Sequence, residues 1–258
     1  MKVRFFTTLG ILALIIPALL LGGVLLDVLI GIIIVAGAIE LLSLSDHHNQ
    51  EWSKYTKVVM MILVVILIVV PQKYAIPLFG IFMLCILSIP VFTDNFTAKD
   101  AFIYITYLIF FYMLGSAFLL IYGRNPKYIW LIIFATYACD TFAYFTGYFF
   151  GKHKLNTRIS PKKTIEGAIG GWFFGALFAF AFGYFFVQSL TITEVGIVSI
   201  ILPITAQIGD LSFSAIKRSY NIKDFSNLLP GHGGILDRLD SLIFNIICFY
   251  FILVVIIL

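Results

Sequence analysis

Residues 24–43 read VLLDVLIGIIIVAGAIELLS, an apolar stretch in which Asp27 and Glu40 are the only charged side chains. A helix of about 20 mostly apolar residues is long enough to cross the hydrocarbon core of a bilayer. Backbone polar groups inside the bilayer must be satisfied within the segment, which favours a helix. The stretch therefore predicts a transmembrane helix. Because Asp27 and Glu40 lie near its ends, we favour a snorkelling or interfacial position for both over a functional role.

The same pattern recurs along the chain. Of 258 residues, 61% are hydrophobic and 12% are charged, and the mean hydropathy is +1.06, whereas about a quarter of the residues of a soluble domain are charged. We predict an all-α, polytopic integral membrane protein with about nine transmembrane helices, the count between 57 and 92 being open. The predicted spans are 5–22, 24–43, 57–71, 74–92, 101–122, 128–150, 166–189, 195–216 and 240–258.

Basic residues are distributed unequally between the two predicted membrane faces. All of the 17 Lys and Arg residues except Lys73, Arg124 and Lys127 lie on the face that holds the N-terminus. Cytoplasmic loops carry an excess of Lys and Arg, so we expect this face to be cytoplasmic. The compact length of the chain favours a bacterial inner (plasma) membrane. The net charge of +4 is too small to indicate nucleic-acid binding.

Polar chemistry is concentrated in the second half of the chain. We therefore divide it into residues 1–123, transmembrane helices of unknown specific role, and 124–258, a catalytic transmembrane region. Its cytoplasmic loops are predicted at 151–165 and 217–239. Within it, Gly167, Gly171 and Gly175 repeat the G-x-x-x-G spacing on one helix face, which predicts close helix packing.

The first polar cluster begins inside the sixth span with Asp140. Asp140, Tyr144, Gly147 and Gly151 share a helix face through their 4-3-4 spacing. A carboxylate within a span is costly unless it meets a polar partner or an ion. We therefore favour a functional role for Asp140 over a structural hydrogen bond.

The second cluster is the loop 158–167, RISPKKTIEG. Ser160 or Thr164 is a candidate N-cap for the following helix, and Pro161 is compatible with its first turn. Two adjacent lysines at a helix N-terminus form a plausible anion site. The alternative, a basic anchor for lipid headgroups, explains the lysines but leaves Glu166 unexplained.

The third cluster extends from the end of the eighth span into the ninth. Asp210, Ser214 and Lys217 lie at i, i+4 and i+7 and so form one stripe of a helix. Glycines flank His232 in the loop 229–240, LPGHGGILDRLD, where they permit positive φ and close approach to phosphate oxygens. Carboxylates beside cations fit phosphoryl chemistry, because Mg²⁺ binds through one or two carboxylates plus substrate phosphates.

Residues 214–240 read SAIKRSYNIKDFSNLLPGHGGILDRLD, which resembles the signature of phosphatidate cytidylyltransferases throughout. The segments around Asp140 and from Ser160 to Gly167 are also similar to that family. The resemblance implies the reaction of CTP with phosphatidic acid to give CDP-diacylglycerol and pyrophosphate, with Mg²⁺ as cofactor. It further implies that Asp210 and Asp237 bind the metal, that K⁺ is a candidate second cation, and that the protein forms a homodimer.

Site roles follow from the clusters and this resemblance together. The expected catalytic residues are Asp210, Asp237, Lys217 and Arg218. The expected substrate-binding residues are Asp140, Ser160, Lys162, Lys163, Thr164, Glu166, Ser214, Lys223, Asp224, His232, Gly233, Gly234, Arg238 and Asp240. Phosphatidate is already ionised at neutral pH, so His232 is assigned to the phosphate-binding loop in preference to a general base.

Three other functions compete with this reading. Intramembrane charges are also typical of a secondary transporter or channel, but the two halves show no repeat and the polar residues gather at one face. A CTP-using polyprenol kinase would release CDP instead of pyrophosphate. A scaffold that only binds anionic lipid leaves Asp210, Asp237 and Asp240 unexplained.

Overall fold

The computed structural model describes residues 2–45 and 50–257, and helices dominate both ranges, which confirms the all-α prediction. The α-helices are α1 Lys2–Leu21, α2 Gly23–Leu41, α3 Gln50–Val69, α4 Gln72–Phe92, α5 Ala98–Arg124, α6 Pro126–Phe150, α7 Ile165–Phe186, α8 Ile192–Ser219 and α9 Leu236–Ile252. A 3₁₀ turn, Leu42–Ser45, follows α2, and a π-helical turn, Leu253–Ile257, follows α9.

Within the described residues, seven helical segments are long and apolar enough to cross a membrane. They are Gly23–Ser45, Gln72–Phe92, Ala98–Arg124, Pro126–Phe150, Ile165–Phe186, Ile192–Ser219 and Leu236–Ile256. Helix α1 contributes a shorter apolar segment, Phe6–Leu21, and α3 is not among the seven. The protein is thus a polytopic membrane protein, but the predicted count of nine spans is not confirmed.

Helix ends delimit both of the predicted cytoplasmic loops. The loop 151–165 contains an antiparallel hairpin of β1 Lys154–Asn156 and β2 Ser160–Thr164. The loop 217–239 is shorter than expected, because α8 continues to Ser219 and α9 begins at Leu236. Hydropathy locates only the apolar part of a helix and misses a polar first turn. The first turn of α9 contains Asp237, and an acidic side chain is favourable at a helix N-terminus.

The described chain forms two compact units. Unit 1 comprises the residues through Ser116 together with Asp224–Leu236, and unit 2 comprises Ala117–Lys223 and the residues from Asp237 onward. The predicted regions 1–123 and 124–258 were separated by the location of polar residues and not by packing. That division of the chain stays a functional prediction.

Helices α6 and α7 of unit 2 pack through small residues. The predicted glycine face is confirmed: Gly167, Gly171 and Gly175 are all buried. A Cβ atom at Gly171 would lie 2.6 Å from the Cβ of Ala143 and 2.7 Å from the carbonyl oxygen of Cys139. Glycine therefore allows the two backbones to approach more closely than any larger residue would.

In unit 1, α2 packs directly on α5. Gly37 lies against the ring of Phe111, and the hydroxyl of Tyr107 donates to the carbonyl oxygen of Ile34 at 3.0 Å. Both aromatic side chains are buried. This contact holds the second half of α2, which carries Glu40, in place.

Candidate functional site

A cavity of about 490 Å³ lies within unit 2, where α6, the β-hairpin, the start of α7 and α8 meet. Five of the predicted site residues line it: Asp140, Lys162, Lys163, Thr164 and Asp210. Ligand pockets typically have volumes of about 300–1,000 Å³ and present a few convergent polar groups. The first two polar clusters and the start of the third, which are distant in sequence, therefore share one pocket.

The β-hairpin brings a cation to the carboxylate of α8. The ammonium of Lys163, on β2, donates to one oxygen of Asp210, and the hydroxyl of Ser214 donates to the other at 3.3 Å. The Lys163 and Asp210 side chains are about 30% exposed, so the pair is open to the cavity. The predicted stripe is confirmed at its first two positions.

A glycine allows α8 and α9 to approach at the level of Asp210. A Cβ at Gly209 would lie 2.9 Å from the carbonyl oxygen of Asp240 and 2.9 Å from the Cβ of Phe244. Asp140, Asp210 and Asp240 are close enough to interact electrostatically. Three carboxyl groups from α6, α8 and α9 thus lie within electrostatic range of one another.

Lys217, two turns after Asp210 on α8, forms an ion pair with α9. Its ammonium lies 2.6 Å from Oδ1 of Asp237, and the two side chains are only 10% and 4% exposed. Charges removed from water need partners of this kind, because an uncompensated buried charge is strongly destabilising. Lys217, the third residue of the predicted stripe, is therefore paired with Asp237, and both were predicted to be catalytic.

Residues at the start of α7 fix the hairpin. Thr164 is the N-cap, since its hydroxyl accepts the backbone N–H of Gly167 at 3.1 Å. Ser160 and Pro161 lie in β2, so the possible cap at Ser160 and the first-turn position of Pro161 were wrong. Strand pairing of the polar segment with Lys154–Asn156 displaced both residues from the helix.

Glu166 closes the hairpin onto the end of α6. Its carboxylate accepts the backbone N–H groups of Lys152 and His153 at 3.0 and 3.2 Å, and it contacts Nδ1 of His153 at 2.6 Å. The structure thus shows a local structural role for Glu166. Its role in substrate binding stays a prediction.

The glycine loop, defined as Ser226–Leu236, belongs to unit 1. Gly231 and Gly233 have φ of 75° and 84°, as the glycines flanking His232 predicted. The loop folds back on itself, because the N–H of Leu229 donates to the carbonyl oxygen of Gly233 at 2.9 Å. Helix α1 contacts the loop through Thr8, whose hydroxyl lies 3.2 Å from Nε2 of His232.

The surroundings of Glu40 could not be read from the sequence. Its side chain is 1% exposed, so it is enclosed by the protein and does not extend to the surroundings, whereas Asp27 on the same helix is exposed. The Glu40 carboxylate accepts hydrogen bonds from the hydroxyl of Ser226 at 2.6 Å and from the N–H groups of Ile235 and Leu236, both at 2.7 Å. These partners lie 186 to 196 residues further along the chain, so the local sequence around Glu40 could not indicate them.

Several predicted residues lie outside the described lining of the cavity. Those in unit 2 are Ser160, Glu166, Ser214, Lys217, Arg218, Lys223, Asp237, Arg238 and Asp240, and those in unit 1 are Asp224, His232, Gly233 and Gly234. The guanidinium of Arg218 instead donates to the carbonyl oxygen of Ile222 at 2.9 Å, at the end of α8. Their predicted roles in catalysis and binding stay predictions.

Sequence reasoning also missed residues that do line the cavity, notably Tyr148, Lys154 and Gln207. The amide of Gln207 donates to the carbonyl oxygen of Ala168 at 2.9 Å, joining α8 to α7. A signal was present for two of them: Tyr148 follows Tyr144 by one helical turn, and Gln207 precedes Asp210 by nearly one. Lys154 carried no such periodic signal.

No group of three or more His, Cys, Asp or Glu side chains within residues 2–45 and 50–257 is arranged to hold a metal ion. Mg²⁺ does not require one, because it commonly takes one or two protein carboxylates and completes its shell with water and substrate phosphates. Asp210 and Asp237 each already bind a lysine ammonium. The chemistry of these donors therefore fits a hard cation.

Comparisons with known proteins agree with this chemistry. The chain matches the sequence family described as the cytidylyltransferase family over residues 2–256. It is similar to a protein of Staphylococcus aureus (strain COL) named phosphatidate cytidylyltransferase, with 35% identity over 258 residues and 95% of each chain covered. A protein of the same name from Staphylococcus haemolyticus (strain JCSC1435) is 34% identical over 257 residues, again with 95% of each chain covered.

Proposed function

Because this chain belongs to the cytidylyltransferase family, we propose that it is an enzyme that transfers the cytidylyl group of CTP to phosphatidic acid. The products are CDP-diacylglycerol and pyrophosphate. The observation that carries this proposal is the unit 2 cavity, in which Asp140 and Asp210 lie beside Lys162 and Lys163. Cations of this kind neutralise phosphate oxygens, and carboxylates hold the ion that accompanies them.

The reaction is a displacement at phosphorus. An oxygen of the phosphatidate phosphate forms a bond to the α-phosphorus of CTP, and the bond from that phosphorus to the pyrophosphate oxygen breaks. Lys154, Lys162 and Lys163 line the cavity and would bind the phosphate groups. Fixed charges that are already in place stabilise the charge that develops in the transition state, without reorganising at the moment of reaction.

Asp210 and Asp237 are our proposed ligands for Mg²⁺. When bound, the ion neutralises charge on the phosphates of CTP and holds them for in-line attack. The lysines that now pair with the two carboxylates would then turn to substrate phosphate, since an ammonium has three donors and a flexible stem. Asp140 and Asp240 lie close enough to Asp210 to interact with it electrostatically.

Entry of the lipid is supported by the exposed aromatic side chains of α6. Tyr144 and Tyr148 line the cavity and are 68% and 72% exposed. On a membrane-spanning helix such a surface faces lipid, and tyrosine is enriched at the membrane interface. The headgroup would therefore enter sideways while the acyl chains stay in the bilayer.

Membrane location and assembly belong to the same proposal. The excess of Lys and Arg on one predicted face supports a cytoplasmic active site, and the relatives named above are bacterial, which supports the bacterial plasma membrane. A homodimer and a K⁺ ion beside Mg²⁺ follow from the family resemblance. Light scattering in detergent and activity in the presence and absence of K⁺ test the last two.

The experiment uses purified protein in detergent with CTP and phosphatidic acid, with and without Mg²⁺. We expect pyrophosphate and CDP-diacylglycerol only when all three are present. Asp210→Asn and Asp237→Asn should each abolish turnover, while the exposed Asp27→Asn keeps it. Release of CDP would indicate kinase chemistry, and full activity of both site variants would refute their assignment as metal ligands.

A further inference from the structure

The glycine loop is closed by one buried side chain of α2. Glu40 binds Ser226 at the start of the loop and Ile235 and Leu236 at its end. The loop ends of unit 1 are thus joined through a single carboxylate that is 1% exposed. Such a buried anion is stable only when its oxygens are hydrogen-bonded, as they are here.

A carboxylate suits this position better than any other side chain of the same length. Oε1 accepts from Ser226 and Ile235 while Oε2 accepts from Leu236, so both oxygens act as acceptors. Backbone N–H groups at the start of a helix also favour a negative charge. An amide would direct its NH₂ group at one of these donors.

Gly234 leaves the room that this carboxylate needs. A Cβ atom at Gly234 would lie 2.6 Å from Oε1 and 2.8 Å from Oε2 of Glu40. Glycine at this position is therefore explained by the close approach of Glu40, independently of any phosphate. Ser226 and Gly234 belong to the stretch 214–240 that resembles the family signature. Both contact Glu40, which lies outside that stretch.

We infer that Glu40 is a positioning residue for the reaction, because it fixes the backbone at Ile235 and Leu236, immediately before Asp237. This inference rests on the proposed function, in which Asp237 binds Mg²⁺. It also assigns a task to α2, since a residue of the first half of the chain sets the start of α9. Groups that orient a metal ligand typically change metal affinity or activity by roughly 10–100-fold when they are substituted.

The test compares Glu40→Gln with Asp27→Asn, an exposed acid of the same helix that serves as a matched control. Both proteins are purified as monodisperse samples, and turnover is measured as a function of Mg²⁺ and CTP. We expect Glu40→Gln to need roughly 10–100-fold more Mg²⁺ for half-maximal activity. Its kcat should recover in part at saturating Mg²⁺, and Asp27→Asn should match the unmodified protein.

A purely structural role would lower the yield of folded protein and leave its Mg²⁺ requirement unchanged, and that result would overturn the inference. If Glu40→Gln does not fold, Ser226→Ala decides, because it removes one of the three hydrogen bonds to Glu40. A rise in its Mg²⁺ requirement supports the inference, and an unchanged requirement overturns it.

Asp237→Asn, measured in parallel, separates this inference from the proposed function. If Asp237→Asn is inactive and Glu40→Gln behaves as Asp27→Asn does, only the positioning role falls. If Asp237→Asn keeps full activity, the metal assignment on which the inference rests has failed, whatever Glu40→Gln does.

Discussion

The ion pair between Lys217 and Asp237 allows a quantitative test of how α8 and α9 are held together. Its charged atoms lie 2.6 Å apart and its side chains are 10% and 4% exposed. Removing one partner of a buried pair costs about 3–5 kcal/mol, since the other charge stays buried without this partner. Lys217→Met and Asp237→Asn should each destabilise the protein by about that amount.

Thermal unfolding in detergent measures the effect. For a chain of this size about 1 kcal/mol corresponds to roughly 2–4 °C in Tm, so each single substitution should lower Tm by roughly 6–20 °C. The double variant Lys217→Met with Asp237→Asn should lose less than the sum of the two single losses, because no buried charge of the pair remains.

The more exposed pair of His153 and Glu166, with side chains 74% and 27% exposed, provides the control. Glu166→Gln should lower Tm less than either substitution in the buried pair, because water screens exposed charges. The reasoning is refuted if Lys217→Met and Asp237→Asn change Tm no more than Glu166→Gln does. It is also refuted if the losses of the two buried substitutions simply add in the double variant.

Three further results are expected. Gly171→Ala should lower Tm, because its Cβ would lie 2.6 Å from the Cβ of Ala143. Gly80→Ala should leave Tm unchanged or raise it through better helix propensity, because a Cβ there has nothing within 4 Å. Equal shifts in Tm would contradict the packing account. Lys163→Met should raise the KM for CTP by about tenfold, the effect of losing about 1.4 kcal/mol of charge-assisted binding, and an unchanged KM in steady-state assays would remove Lys163 from the phosphate site. A cysteine at Lys162, in a cysteine-free background, should react with a membrane-impermeant maleimide only after the cells are permeabilised, and labelling of intact cells would reverse the proposed orientation.

The sequence predicted those features of the fold that depend on local pattern. Apolar length located the helices of both units, and the spacing of Gly167, Gly171 and Gly175 predicted a packing face. The glycines flanking His232 likewise predicted positive φ. Each of these features is determined by residues within one segment, so the segment alone carries the information.

The features that were missed depend on partners that are distant in the chain. The hairpin of β1 and β2 is short and polar, and no alternation marks it. Lys163 meets Asp210 across 47 positions, and Glu40 meets Leu236 across 196. Periodicity reports which face a residue lies on, but not which distant group that face contacts.

The central claim is that the cytidylyl group itself moves onto the lipid. The most direct measurement follows the label from CTP into the lipid fraction, using CTP labelled at the α-phosphorus or, in parallel, at the γ-phosphorus. We predict that phosphatidate takes up the α label in the presence of Mg²⁺ and takes up none of the γ label. Appearance of the γ label in lipid, or uptake of neither, would contradict the account.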